Sequence, residues 1–280
     1  MHSAAGLTPS RHSVAQIPSI ETRQLTRRFG ARLAVDNLDL QVAAGEIFGL
    51  LGPNGAGKTT TIRMLTTLLQ PTSGDARVAG FDLRHEAFEV RRHIGYVPQM
   101  LSADPELTGY ENLLLFSKLY RVPASERKPR IAEALDFMQI TDSANKLVRH
   151  YSGGMIRRLE IAQSLVNRPD ILFLDEPTVG LDPTGRHSVW ERLQALWKKW
   201  NTTILMTTHY MDEAEALCHR VAFIQLGRIM ELGTPAELKA KLGPGATLDD
   251  VFIHLSGSEQ QEADGFHSTI GERRSIQRHG

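Results

Sequence analysis

The sequence predicts an α/β fold on a mainly parallel sheet, with a helical insertion. Three observations carry this. Short apolar runs suited to strands alternate with helical segments along the chain. The run Ile47-Phe48-Gly49-Leu50-Leu51 is almost unbroken in apolar character, as expected of a strand covered on both faces. From about residue 99 to 160 the pattern turns mostly helical. The chain has 280 residues, 41% of them hydrophobic and 23% charged, which suffices for a sizeable core.

The elements follow in order. Residues 1–20 contain Pro9, Pro18 and several serines without periodicity, and are expected to form a flexible leader. Residues 33–51 read as short strands broken by a turn at Ala44-Gly45. A helix is expected from about Lys58 to Leu69, closed by Pro71. Thr72-Ser73-Gly74-Asp75 reads as a turn cluster, and Ile94–Val97 as a strand. Thr108-Gly109-Tyr110-Glu111 is a capping box opening a helix with an apolar stripe of Leu113, Leu114, Phe116 and Leu119. Further strands are expected at Ile171–Asp175, Thr203–Thr208 and Val221–Leu226. The helix between the first two carries Trp190, Leu193, Trp197 and Trp200 at helical spacing, which reads as core packing. Thr234-Pro235-Ala236-Glu237 joins a capping box to a proline at the first helical position. Residues 257–280 hold few large apolar side chains and are expected to be a mobile tail.

Composition narrows the function. Lys plus Arg and Asp plus Glu are 32 each, which argues against bulk electrostatic binding of nucleic acid or anionic membrane. Cys218 is the single cysteine and reads as an inert apolar residue, so no intrachain disulfide is encoded. No apolar run approaches membrane-spanning length, and residues 1–20 lack the apolar core of a secretory signal. A membrane pathway is therefore not expected from this chain alone.

Residues 52–59 read Gly52-Pro53-Asn54-Gly55-Ala56-Gly57-Lys58-Thr59, the G-x-x-x-x-G-K-[ST] phosphate loop. It follows an apolar strand and opens a helix, the context the motif requires. Glycines let backbone amides converge on phosphate oxygens, and the helix N-terminus adds its positive end. Lys58 is expected to reach the β- and γ-phosphates, Thr59 to ligate Mg²⁺, and Thr60 to reach the α-phosphate. The strand Ile171–Leu174 ends in Asp175 and Glu176. Asp175 is placed to hold Mg²⁺, and Glu176 to polarise the water that attacks the γ-phosphate. No guanine-reading N-K-x-D motif stands in the chain.

Ser152-Gly153-Gly154-Met155 precedes a helix and offers a second anion site, though taken alone it reads better as a plain helix cap. It lies 19 residues before Leu174-Asp175-Glu176, and Gly180-Leu181-Asp182-Pro183 follows those acids. With these motifs in order, the chain resembles the ATP-binding subunit of an ABC transporter over about residues 21–256. The signature L-S-G-G-Q of such proteins stands here as Tyr151-Ser152-Gly153-Gly154-Met155. The Tyr and Met resemble the variant of ABC-2 type exporters, nearest the daunorubicin-resistance kind. Thr247-Leu248-Asp249-Asp250-Val251-Phe252 is similar to that subgroup's ending.

The resemblance implies a P-loop NTPase of ABC ATPase type. Its parallel core would carry an N-terminal antiparallel β subdomain and an inserted helical subdomain near 99–160. It implies ATP and Mg²⁺ as ligands. Gln99 would join Mg²⁺ and the attacking water to a membrane partner, and His209 would contact the γ-phosphate. Asp182 would lie at a dimer seam, and Phe29 would stack on adenine. Ser152, Gly153 and Gly154 would close on ATP held by a second nucleotide-binding subunit, most simply in a homodimer. A separate permease would dock near Gln99 and the insertion, around Leu101, Leu107 and Tyr110. The implied role is energising export of a drug or other hydrophobic compound from the cytoplasmic face of the membrane, as a peripheral subunit. A soluble ABC ATPase of cofactor assembly stands as the alternative.

Overall fold

The structure is a computed structural model and describes residues 18–256. Its strands are β1 (Ile20–Phe29), β2 (Arg32–Val42), β3 (Ile47–Leu51), β4 (Ser73–Val78), β5 (Phe81–Asp82), β6 (Ile94–Val97), β7 (Ile171–Asp175), β8 (Thr203–Thr208), β9 (Arg220–Gln225) and β10 (Arg228–Gly233). Its α-helices include α1 (Lys58–Leu65), α2 (Ala87–His93), α3 (Gly109–Leu119), α4 (Ala124–Phe137), α5 (Gly153–Leu165), α6 (Pro183–Trp200), α7 (Met211–Leu217) and α8 (Pro235–Ala240).

The main sheet has the order β10-β9-β3-β8-β7-β6, parallel from β9 to β6, with β10 antiparallel at the edge. Both faces are covered, and period-2 alternation divides each apolar strand between two cores. Ile47, Leu51, Leu172, Leu174, Ile204, Met206 and Val221 face the helices α3–α7. Phe48, Leu50, Ile171, Phe173, Leu205 and Ala222 face α1 and the second sheet. That second sheet, β2-β1-β4-β5, is antiparallel.

Several expectations are corrected in detail. β1 begins at Ile20, the last residue of the expected leader, and Ile20 is buried. Residues 1–17 and 257–280, which hold most of the expected leader and all of the expected tail, lie outside the described residues. The expected turn at Thr72–Asp75 runs into β4, which pairs with β1 through a register shift between Arg23 and Thr26. The turn-forming residues sit at that irregularity. α1 ends at Leu65 rather than Leu69, because Thr67 enters the left-handed region with φ 61°. On α3 the buried face is Asn112, Leu113 and Ser117. Leu119, expected in the stripe, is 66% exposed. Trp190 and Trp197 pack on the core, whereas Trp200 is 39% exposed and packs its ring 4.6 Å from that of Phe137.

Candidate active site

β3 runs straight into the loop 52–57, and α1 begins at Lys58. Gly57 caps α1 with φ 110°, a left-handed conformation that L side chains rarely adopt. A Cβ there would also meet the Ala34 carbonyl at 2.6 Å. Gly52 passes so close to β9 that a Cβ would lie 2.2 Å from the Ile224 carbonyl oxygen. The Ala56 carbonyl accepts from the Gly227 amide at 2.9 Å, which ties the loop to the turn between β9 and β10.

Lys58 is 4% exposed, and its Nζ donates to the carbonyls of Gly52 at 2.7 Å and Pro53 at 3.2 Å. It also lies 3.3 Å from Glu176 Oε1. A buried ammonium needs such partners. Glu176, 5% exposed, has φ 49°, a strained conformation for a non-glycine residue. The Glu176 amide donates to Thr207 Oγ1 at 3.0 Å and to the Thr207 carbonyl at 3.2 Å. Glu176 Oε2 accepts from Gln99 Nε2 at 3.1 Å and lies 3.3 Å from His209 Nδ1. Asp175 Oδ1 accepts from Thr59 Oγ1 at 3.0 Å and Thr207 Oγ1 at 2.7 Å. Burial, reinforced by the Asp175 charge, pushes the Tyr96 phenol above its usual range, so it stays neutral beside the acids.

Of these groups Lys58, Thr59, Gln99 and Glu176 open onto a cleft of about 450 Å³ that Phe29, Arg32, Ala34, Pro53, Asn54, Gly55, Gly57 and Thr60 also line. Phe29 is 46% exposed, with the Arg27 guanidinium 4.4 Å from its ring centroid. The side chains meet the needs of a magnesium polyphosphate. They combine a loop with no room for side chains at Gly52 and Gly57, a converging lysine, and hydroxyl and carboxylate oxygens for a hard cation.

Four predicted residues lie elsewhere. Ser152 caps α5, its Oγ accepting from the Met155 amide at 3.3 Å. Gly153 and Gly154 form the first turn, packed so closely on α6 that a Cβ at Gly154 would meet Gly185 Cα at 3.2 Å. Asp182 caps α6 by accepting from the Gly185 amide at 2.7 Å. None of the four lines the cleft that holds Lys58, and Ser152, Gly153 and Asp182 are exposed.

A family model described as ABC transporter matches residues 35–179. The chain belongs to the ABC transporter ATP-binding family. It is 49% identical over 225 residues to the daunorubicin/doxorubicin resistance ATP-binding protein DrrA of Streptomyces peucetius, covering 80% of this chain and 68% of that relative. It is 45% identical over 222 residues to the Nod factor export ATP-binding protein I of Paraburkholderia xenovorans, covering 79% and 73%. Among solved structures, an ATP-binding subunit of an ABC transporter is similar with TM-score 0.74 at 29% identity, over 85% of this chain and 99% of that one. A dimeric ATP-binding cassette in a post-hydrolysis state, bound to ADP and Pi, is similar with TM-score 0.68 at 27% identity, over 77% and 98%.

This ABC ATPase hydrolyses ATP, and its fold is that of the ABC ATPase domains it resembles. Three site residues escaped sequence reasoning. Arg32 and Ala34 line the cleft from β2, and no local motif marks them. Thr207 reaches Asp175 because β7 and β8 pair in a register that sets the two opposite each other. Its only signal in the sequence is a position two residues before His209.

Proposed function

We propose that this ABC ATPase energises export of a drug or other hydrophobic compound through a separate ABC-2 type permease. The observation that carries the proposal is the convergence of Lys58, Gln99 and His209 on one buried carboxylate, Glu176. The exporter reading draws on the 49% identity to a relative named for daunorubicin and doxorubicin resistance.

In the mechanism we infer, Phe29 stacks on adenine and the loop amides with Lys58 hold the phosphates. Thr59, Asp175 and Gln99 are the residues that would hold Mg²⁺. When bound, that ion neutralises charge on the β- and γ-phosphate oxygens. Glu176 must exchange its contact with Lys58 for one with water. It then takes a proton from that water as the water oxygen bonds to the γ-phosphorus and the bond to the ADP oxygen breaks. His209 orients the γ-phosphate end. Ser152, Gly153, Gly154 and Asp182 lie outside the cleft of their own chain, which suits a homodimer in which each signature segment closes on the other chain's ATP. ATP then favours the closed dimer because only that state contacts it from both halves.

Among the described residues no helix is long and apolar enough to cross a membrane, so the pathway is assigned to a second protein. Met100 and Leu101 are 81% and 54% exposed beside Gln99, while Leu107 and Tyr110 are half-buried. A separate groove of about 860 Å³ between α2, α3 and α4 is lined by Phe88, Arg91, Arg92, Phe116, Leu119 and Tyr120 among others. In this reading a permease segment docks on Met100 and Leu101 and holds the chain at the cytoplasmic face of the membrane. The test is a pull-down of the tagged chain from detergent-solubilised native membranes, with mass spectrometry of what is retained. A polytopic membrane protein is expected. Recovery of soluble assembly factors alone would overturn export and leave the ATPase chemistry standing.

A further inference from the structure

α5 carries the signature at its first turn and a buried ion pair further along. Arg157 and Glu160 have side chains only 2% and 1% exposed, with Arg157 Nη1 lying 3.0 Å from Glu160 Oε2. Neither is a phosphate contact. Both grip the segment between β6 and α3. Arg157 Nη1 donates to the Pro98 carbonyl at 2.7 Å, and Nη2 donates to the Gln99 carbonyl at 2.8 Å. Glu160 Oε1 accepts from the Ser102 amide, from Ser102 Oγ at 3.1 Å and from the Ala103 amide at 3.3 Å. The segment has no sheet or helix partners of its own, so this pair satisfies backbone groups that would otherwise be orphaned. The exposed Met100 and Leu101 stand between the two gripped points.

We propose that Arg157 and Glu160 are positioning residues that bind α5 and residues 98–103 into one body, so that the helix carrying the signature sets where the Gln99 amide meets Glu176. Several features favour this over a purely structural pair. The guanidinium fork spans two successive carbonyls, one belonging to Gln99 itself, and lysine cannot reproduce that planar geometry. The Gln99 side chain then ends on Glu176 at 3.1 Å, so a short shift of its backbone moves its amide directly at the carboxylate. Force on either end, from ATP at Ser152–Gly154 or from a partner on Met100 and Leu101, reaches the other end through the same grip. The inference rests on the reading of Gln99 and Glu176 as parts of the hydrolytic site.

The test is a double-mutant cycle in the full chain with Arg157→Lys and Gln99→Ala, following kcat, KM for ATP, the Mg²⁺ concentration for half-maximal rate, and thermal unfolding. Arg157→Lys is expected to lower kcat roughly ten- to hundred-fold, the scale of a misplaced catalytic contact, with KM for ATP little changed and the Mg²⁺ requirement raised. In the Gln99→Ala background the same change should have almost no further effect. Multiplying effects would show that Arg157 acts independently of Gln99 and overturn the proposal. Parental turnover in Gln99→Ala alone would remove Gln99 from the site and the proposal with it, a distinguishable failure. A second variant, Arg157→Met with Glu160→Leu, replaces the buried pair by apolar side chains, which avoids leaving a lone buried charge. It strips partners from backbone groups of residues 98–103, so it should melt below the parent, yet remain folded and show the same kcat loss. Parental kcat in that folded variant would also overturn the inference.

Discussion

Glu176→Gln separates the two roles of the buried carboxylate. The substitution preserves shape and keeps an acceptor for Gln99, but removes the charge 3.3 Å from Lys58 Nζ and the capacity to take a proton. At 3.3 Å two unit charges attract by about 5 kcal/mol with an effective dielectric near 20. Desolvation offsets much of that, leaving about 1.5–3 kcal/mol, typical of a hydrogen bond to a charged group. An incoming phosphate competes with Glu176 for Lys58, so the variant should bind ATP roughly ten- to hundred-fold more tightly. Loss of the general base should lower turnover roughly 10²–10⁴-fold, or about 3–5 kcal/mol in the barrier. Equilibrium titration with a fluorescent ATP analogue reads the first effect, and steady-state phosphate release reads the second. Near-parental turnover would remove Glu176 as the base. Weaker nucleotide binding would refute the claim that the Lys58–Glu176 contact competes with phosphate.

Ser152→Arg places a bulky cation at the exposed cap of α5. ATP affinity should be unchanged while ATP-driven dimerisation, followed by light scattering, is lost; parental dimerisation would sink the shared-site reading. Thr207→Val removes the hydroxyl that donates to Asp175 and accepts from the Glu176 amide. It should destabilise the fold by about 1–3 kcal/mol, with a fall in melting temperature of roughly 2–4 °C per kcal/mol. An unchanged melting curve would refute this. Glu213 is fully buried and accepts from Thr178 Oγ1 at 2.8 Å and Trp190 Nε1 at 2.9 Å. Burial pushes its carboxyl above the ordinary carboxylate range, against opposing hydrogen bonds from Thr208, Thr178 and Trp190 and the Arg186 charge. The folded state therefore holds this proton more tightly than the unfolded chain. The resulting stability is present below the unfolded pKa and is lost as pH rises through the folded one. Glu213→Gln should flatten the dependence of melting temperature on pH above about 4.5, and a slope equal to the parent's would contradict the assignment.

The parallel strands were legible because burial on both faces leaves an unbroken apolar run, as in Ile171–Leu174. The antiparallel sheet was less so. β1 reads Ile-Glu-Thr-Arg-Gln-Leu-Thr-Arg-Arg-Phe, with Ile20 and Leu25 buried among polar residues, and its pairing is interrupted by register shifts that break the alternation. The exposure of Leu119 on α3 was hidden for a related reason, since periodicity finds an apolar stripe without saying what covers it.

Sequence alone determined the phosphate loop and the Asp175-Glu176 pair, because strand, glycine loop and helix start are consecutive along the chain and their chemistry is local. Only the tertiary structure decided what surrounds Glu176. Lys58, Gln99 and His209 come from three distant elements, and their convergence follows from the strand order β3-β8-β7-β6. Thr207 joins Asp175 through the pairing register of β7 and β8, and Arg157 finds the Gln99 carbonyl through the packing of α5. Register and packing angle are set by long-range contacts, so no window of sequence contains them.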